Sequence, residues 1–176
     1  HAAVQTVPGS YIDEVLQNST LQNLNISGME LTQFGNISGN SLNNITTSSY
    51  LVPGKIYNLT TYDGTSYRNY RAPAGVEIVS LIKGFPAKSA GMTVGSFVIS
   101  IDNKTAYNEN VINDILNHIP PGTNVSMVTE SFTYSSGNYI GTLHTYNFTT
   151  VSAYKYFSQY YPSLANNIQK NESFIG

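Results

Sequence analysis

The chain has 176 residues, 40% of them hydrophobic, 10% charged, and a formal net charge of −2. That is enough apolar content for one medium core or two small ones, at about 100–200 residues per domain. With no Lys/Arg cluster, nucleic-acid binding through phosphate contacts is excluded; with no cysteine, so are disulfides and thiolate metal sites; and no apolar run approaches the roughly 18–20 residues of a membrane-spanning helix.

Charged residues usually make up about 25% of a soluble domain. Here Asn, Ser, Thr and 14 Tyr carry the polarity instead. Residues 3–72 open as an Asn-rich lead-in, but their spacing matches that of residues 75–130. Gly9 to Thr20 align without a gap under Gly75 to Pro86, and Pro53-Gly54 precedes a strand at Lys55–Tyr62 as Pro121-Gly122 precedes one at Thr123–Glu130. Similarity at a fixed period indicates duplicated units. Helix character between Leu42 and Leu51 is weak, because Ile45, Thr46 and Thr47 are β-branched. Asp63-Gly64 is a hairpin turn signal, and Ser66 to Arg71 reads as a short connector.

Residues 73–151 give the clearest pattern. Val76 to Ile82 is an apolar β-branched run ended by Lys83-Gly84. Pro86 suits the first turn of a short helix and Gly91 its left-handed close. Phe97 to Ile101 is a second buried strand, with Asp102-Asn103 as turn residues. In 107–119, Val111, Ile112, Ile115, Leu116 and Ile119 form one helical stripe, stopped by Pro120-Pro121-Gly122. Beyond it, 123–151 reads as one long β-hairpin turning at Ser135 to Asn138. In the tail, 152–176, Tyr154, Phe157 and Tyr161 fall at helical spacing before Pro162, where a second short helix is expected to begin. That stripe suits core packing, or an interfacial aromatic belt if the tail leads to a membrane segment.

Phe85-Pro86-Ala87-Lys88-Ser89-Ala90-Gly91-Met92, then Gly95-Ser96-Phe97-Val98-Ile99-Ser100-Ile101-Asp102, then Pro121-Gly122, together resemble the signature of PDZ domains of the circularly permuted prokaryotic kind. Ser96 stands where that family usually has Asp. The resemblance implies a β-rich α+β fold of two PDZ-like modules, each a partly open β-barrel or sandwich with a capping amphipathic helix: 3–72, short for such a module, and 73–151. It further implies an extended peptide bound as an added strand beside the helix, with Val111, Ile112, Ile115 and Leu116 divided between core and groove. The family's carboxylate-binding loop has an aromatic-Ile-Gly pattern that forms a backbone anion nest. Both Tyr139-Ile140-Gly141 and Phe174-Ile175-Gly176 match it. Permuted modules place this loop last, which favours the second, and the strand after it would then fall beyond Gly176.

No catalytic set is expected in this segment. His1, His118 and His144 share no metal-ligand spacing and no HExxH occurs. Lys88 and Ser89 are adjacent on a helix and do not face each other; Asp13 and Glu14 point to opposite faces of a strand. The tandem PDZ arrangement and the Phe-Ile-Gly tail resemble the extramembrane region of site-2-type intramembrane zinc metalloproteases. That resemblance implies a peptide or membrane-protein substrate as partner, a gating role at the extracytoplasmic face of a membrane, and a zinc cofactor held by a catalytic core outside this chain. Two other readings are the PDZ region of a secreted or surface serine protease, and a glycosylated cell-surface interaction domain.

Asn-x-Ser/Thr begins at Asn18, Asn25, Asn36, Asn44, Asn58, Asn103, Asn124, Asn147 and Asn171. Each is a candidate N-glycan acceptor on a cell exterior, although a chain so rich in Asn, Ser and Thr yields several by chance. The low charge density suits an acidic exterior, because acid unfolding works largely by protonating paired carboxylates.

Overall fold

The computed structural model describes residues 4–7, 11–15, 26, 29–39, 42, 51–167 and 173–176. They form a β-rich α+β fold of antiparallel sheets with few helices. The first sheet contains β1 (Val4–Val7), β2 (Tyr11–Val15), β3 (Glu30–Phe34), β4 (Ile37–Ser38), β5 (Ile56–Tyr62) and β6 (Tyr67–Pro73). Its order is β1-β2-β3-β5-β6, with β4 folded back on β3. The second contains β7 (Val76–Glu77), β8 (Phe97–Ile101), β9 (Lys104–Thr105), β10 (Asn124–Ser135) and β11 (Asn138–Thr149), in the order β11-β10-β8-β7, with β9 folded back on β8. A two-stranded piece pairs β12 (Val151–Ser152) with β13 (Ser173–Phe174). Both main sheets are open, so neither closes into a barrel.

One pairing scheme runs through both sheets. In the first, Leu31 lies opposite Thr61 and Phe34 opposite Leu59, with a bulge between. In the second, Val98 lies opposite Thr129 and Ile101 opposite Met127, again with a bulge between. An extra residue on one strand of a pair bends that strand and sharpens its twist, so both sheets bend at the same point. Thr61 and Thr129 are each 1% exposed, and both hydroxyls are buried without a hydrogen-bond partner.

The apolar alternation of these strands produces two cores. Ile26, Leu31, Phe34, Ile37, Leu42, Leu59, Ala72 and Ala74 form the first. The second is built on Val98, Ile101, Ile115, Leu116, Val125, Met127 and Phe148. Fully burying a side chain such as Met127 or Ile101 stabilises the fold by about 1.5–3 kcal/mol.

Helices α1 (Pro86–Ser89) and α2 (Glu109–Asn117) cover the second core, and α3 (Ala153–Tyr160) and α4 (Pro162–Ala165) follow it. Asn108 caps α2 by accepting from the Val111 N–H at 2.9 Å, which satisfies one of the orphan donors of the first turn. Among the described residues a capping helix is seen on the second sheet; residues 43–50, where the helix of residues 3–72 is expected, lie outside the described residues.

Two expectations are corrected. Ser66–Arg71 is not a connector, because β6 pairs with β5 along its whole length, from Tyr62↔Tyr67 to Ile56↔Pro73. Its side chains are mostly exposed, so the strand carries little apolar alternation and is held by backbone pairing. The strand expected over Val76–Ile82 is regular only at Val76–Glu77. Beyond it the Ile78 N–H donates to Ser96 O, and Gly95 N–H donates to Ile78 O. Past that point the chain leaves β8 and runs on as irregular wall.

Candidate peptide groove

The irregular wall and α2 enclose a groove of about 340 Å³ on the second half. The wall, Val76 to Ile82, forms one side, and Glu109, Ile112, Asn113, Leu116 and Asn117 of α2 form the other. Positions 109, 112, 113, 116 and 117 are spaced three and four apart, so they fall on one helical face. Met92, Val98 and Met127 contribute to the lining between them, and Ser173 to Gly176 close one end. The lining is mostly apolar. Among the described residues its ionisable members are Glu77, 1% exposed, and Glu109, which is exposed.

The closing end is fixed by several contacts. β13 pairs with β12 through Val151↔Phe174 and Ser152↔Ser173. The Ser173 hydroxyl donates to Ile119 O just past α2, and Ala87 N–H donates to Ile175 O at 2.8 Å. Phe85 meets Phe174 edge-to-face at 5.6 Å and Tyr156 edge-to-face at 5.0 Å, while Tyr156 stacks on Phe174 at 4.8 Å. Such aromatic pairs contribute about 0.5–1.5 kcal/mol each beyond their buried area. The tail is therefore pinned to α1, α2 and α3 at once.

The residues singled out in the sequence separate in space. Ile112, Leu116, Phe174, Ile175 and Gly176 line the groove together. Val111 and Ile115 pack into the second core and do not line it. Tyr139, Ile140 and Gly141 lie in β11, also outside the groove. Tyr139 instead joins Asn58, Asn69, Tyr70, Arg71, Tyr134 and Gly137 around a separate cleft between the two sheets. Burial pushes the Tyr139 phenol above its ordinary range, with Tyr134 and Glu77 adding to the shift.

Asn36, Asn58, Asn103, Asn124 and Asn147 are all exposed and none lines the groove; Asn18, Asn25, Asn44 and Asn171 lie outside the described residues. The strand geometry accounts for many of these motifs. Leu59, Val125 and Phe148 are buried between an outward Asn and an outward Thr or Ser, and alternation with period two places both polar partners on one face.

No cluster of three or more potential metal-ligating side chains occurs among the described residues. His118 Nδ1 lies 2.7 Å from Asp114 O on its own helix, and His144 Nε2 lies 3.0 Å from Ser131 Oγ across the hairpin. No described helix is long and apolar enough to cross a membrane.

Sequence reasoning passed over Glu109, Asn113 and Asn117. Their spacing with Ile112 and Leu116 was available as a signal, but polar members do not mark an apolar stripe. It also passed over Tyr156, the hub of the tail's aromatic contacts, because Tyr154, Phe157 and Tyr161 gave the more regular spacing. Compared with known proteins, the chain matches no family model and no curated protein sequence.

Proposed function

We propose that this chain is a peptide-binding region of two PDZ-like halves, 3–72 and 73–151, and that the second half takes an extended segment as an added strand between 76–82 and α2. One observation carries this reading. β1 flanks β2 in the first sheet, whereas β7, the corresponding strand of the second, has β8 as its sole strand neighbour among the described residues. The groove lies along that side, with an apolar helix face opposite, which is the arrangement strand addition requires. The shared bulge and the matching order of strands support the duplication.

The experiment is a titration of fluorescent peptides with apolar side chains, ending in a free carboxylate or an amide. Asn113→Trp fills the groove from an exposed position, and Ile112→Arg places a charge in its apolar wall. Both should weaken binding at least about tenfold, the loss expected when an apolar anchor is blocked. Binding unchanged in both variants, with the fold intact by circular dichroism, overturns the reading.

In its larger setting the region acts as the extramembrane filter of a membrane-bound zinc protease, restricting which segments reach a catalytic core elsewhere that holds the zinc. The PDZ-like motif and the Phe174-Ile175-Gly176 end of the groove support this. Sequence flanking the chain tests it: hydrophobic spans with HExxH favour it, whereas a trypsin-like domain or a lone stalk overturns it.

A further inference from the structure

We propose that the cleft between the two sheets binds a sugar, its pyranose ring lying on Tyr134 and Tyr139 and its hydroxyls held by Asn58, Asn69 and Arg71. The site is apart from the peptide groove and does not depend on it.

The first ground is what the cleft is made of. Its volume is about 380 Å³, within the roughly 300–1,000 Å³ of small-ligand sites. Among the described residues it is lined by two asparagines, an arginine, three tyrosines and Gly137, with no aliphatic side chain. Tyr70 also packs on the first core, which leaves Tyr134 and Tyr139 as the rings that face a ligand. A pyranose has a C–H face that stacks on an aromatic ring and a rim of hydroxyls that suits planar amide and guanidinium groups.

The second ground is placement. Asn58 lies opposite Arg71 and Thr60 opposite Asn69 in the pairing of β5 with β6. Paired residues share a face and alternate ones return to it, so Asn58, Asn69 and Arg71 stand together on one face. All three are exposed. The Thr60 hydroxyl donates to Asn69 Oδ1 at 2.8 Å, which orients that amide and leaves it N–H donors to offer a ligand. Arg71 adds a rigid fork of donors, and Asn58 holds a donor and an acceptor side by side. Neighbouring hydroxyls on a sugar ring, each both donor and acceptor, fit such pairs.

The third ground is that the aromatic platform is held in place. Tyr134 and Tyr139 are paired at the end of the β10–β11 hairpin, with ring centroids 4.9 Å apart. Tyr139 meets Phe132 edge-to-face at 6.2 Å, and Phe132 meets the buried Phe97 edge-to-face at 5.6 Å. The rings run in a continuous line from the protein interior to the surface, where Tyr134 is 63% exposed. A platform already ordered loses little side-chain freedom when a ligand lands on it.

Asn58 begins an Asn-x-Thr motif, so the test uses the whole chain made in a host that adds no N-glycan. Methyl glycosides of glucose, mannose, galactose and N-acetylglucosamine are titrated against isotope-labelled protein and followed by NMR. At least one should give saturable shifts at the Asn69, Arg71, Gly137 and Tyr139 amides, with a Kd of about 1 mM. Tyr134→Ala should weaken binding at least about tenfold, whereas Tyr134→Phe should keep it, because stacking needs the ring and not the hydroxyl. Arg71→Lys keeps the charge and loses the fork, and should weaken binding about three- to tenfold. Asn113→Trp, in the peptide groove, should leave it unchanged.

No saturable shift with any of the four sugars overturns the proposal. So does sugar binding that Tyr134→Ala leaves intact, which places it elsewhere on the protein. Sodium phosphate or acetate giving the same shifts and displacing the sugar makes this an anion site. An oligoproline peptide that binds the tyrosines where no sugar does makes it a proline-recognition cleft. Either of those results overturns the ligand class.

Discussion

Glu130 lies over Gly141 on the neighbouring strand, so closely that a Cβ added to Gly141 would collide with its carboxylate and meet the Phe132 ring at 3.0 Å. The other carboxylate oxygen sits equally close to Gly54, in the turn that leads into β5. Gly141 of β11 and Gly54 of the turn before β5 thus make room for one acidic side chain. Gly141→Ala should destabilise the protein by about 1–3 kcal/mol, the usual cost of overpacking, and chemical denaturation measures it.

Burial pushes the Glu130 carboxyl above its ordinary value. A raised folded-state pKa means that the neutral form is favoured by folding. The contribution is fully present below the unfolded value and is lost as pH rises through the folded one. Glu130→Gln should therefore flatten the decline in thermal midpoint between acid and neutral pH, and should match or exceed the wild type at pH 7. A midpoint profile indistinguishable from wild type would remove Glu130 from the pH response.

Asp63 has the opposite sign. Its carboxylate accepts from the Thr65 N–H and the Ser66 N–H, each at 2.9 Å, and from the Thr65 hydroxyl at 3.0 Å. Backbone hydrogen bonds from Ser66 and then Thr65 hold its pKa down at about 2. A depressed pKa gives a contribution present above the unfolded value of 3.8 and lost as pH falls through about 2. The amide resonances of Thr65 and Ser66 should therefore keep their native shifts at pH 3 and move near pH 2. Asp63→Ala should release them at every pH.

The cap of α2 couples stability to the groove. Removing Asn108, which is 5% exposed, should cost about 1 kcal/mol, within the range of N-cap deletions. Asn108→Ala should lower the thermal midpoint, whereas Asn108→Ser and Asn108→Asp should restore most of it.

Phe85 joins the tail to α1. It is half-buried, so Phe85→Ala should cost less than the 3–5 kcal/mol of a core phenylalanine, about 1–3 kcal/mol. Its larger effect should be local. Losing both edge-to-face contacts should speed amide hydrogen exchange at Phe174, Ile175 and Gly176 without changing β10, which separates a loosened groove end from general unfolding.

Much of the second half was legible because its signals are short-range. Asp102 and Asn103 adopt left-handed backbone with φ of 48° and 63°, as Asx turn residues tolerate. α2 starts at its Asn cap and stops before Pro120, and Pro86 opens α1. In residues 3–72, β2 and β5 fall where the alignment with residues 75–130 leads one to expect strands. β6 escaped because edge strands held by backbone pairing need no apolar alternation. The division of the helix stripe escaped because Val111, Ile112, Ile115 and Leu116 are alike in composition, and what distinguishes them is the element each one faces.

The sequence by itself determined the local pieces: where the chain turns, which stretches alternate, where α2 is capped, and that one spacing recurs. These depend on residues a few positions apart, whose backbone preferences act before any distant contact forms. Only the tertiary structure decided that β7 pairs with β8, that Ser173 to Gly176 close the groove beside it, and that Glu130 sits between Gly141 of β11 and Gly54 of the turn before β5. These outcomes join residues up to about a hundred positions apart in the chain, and the geometry of such meetings is set by how sheets bend and pack.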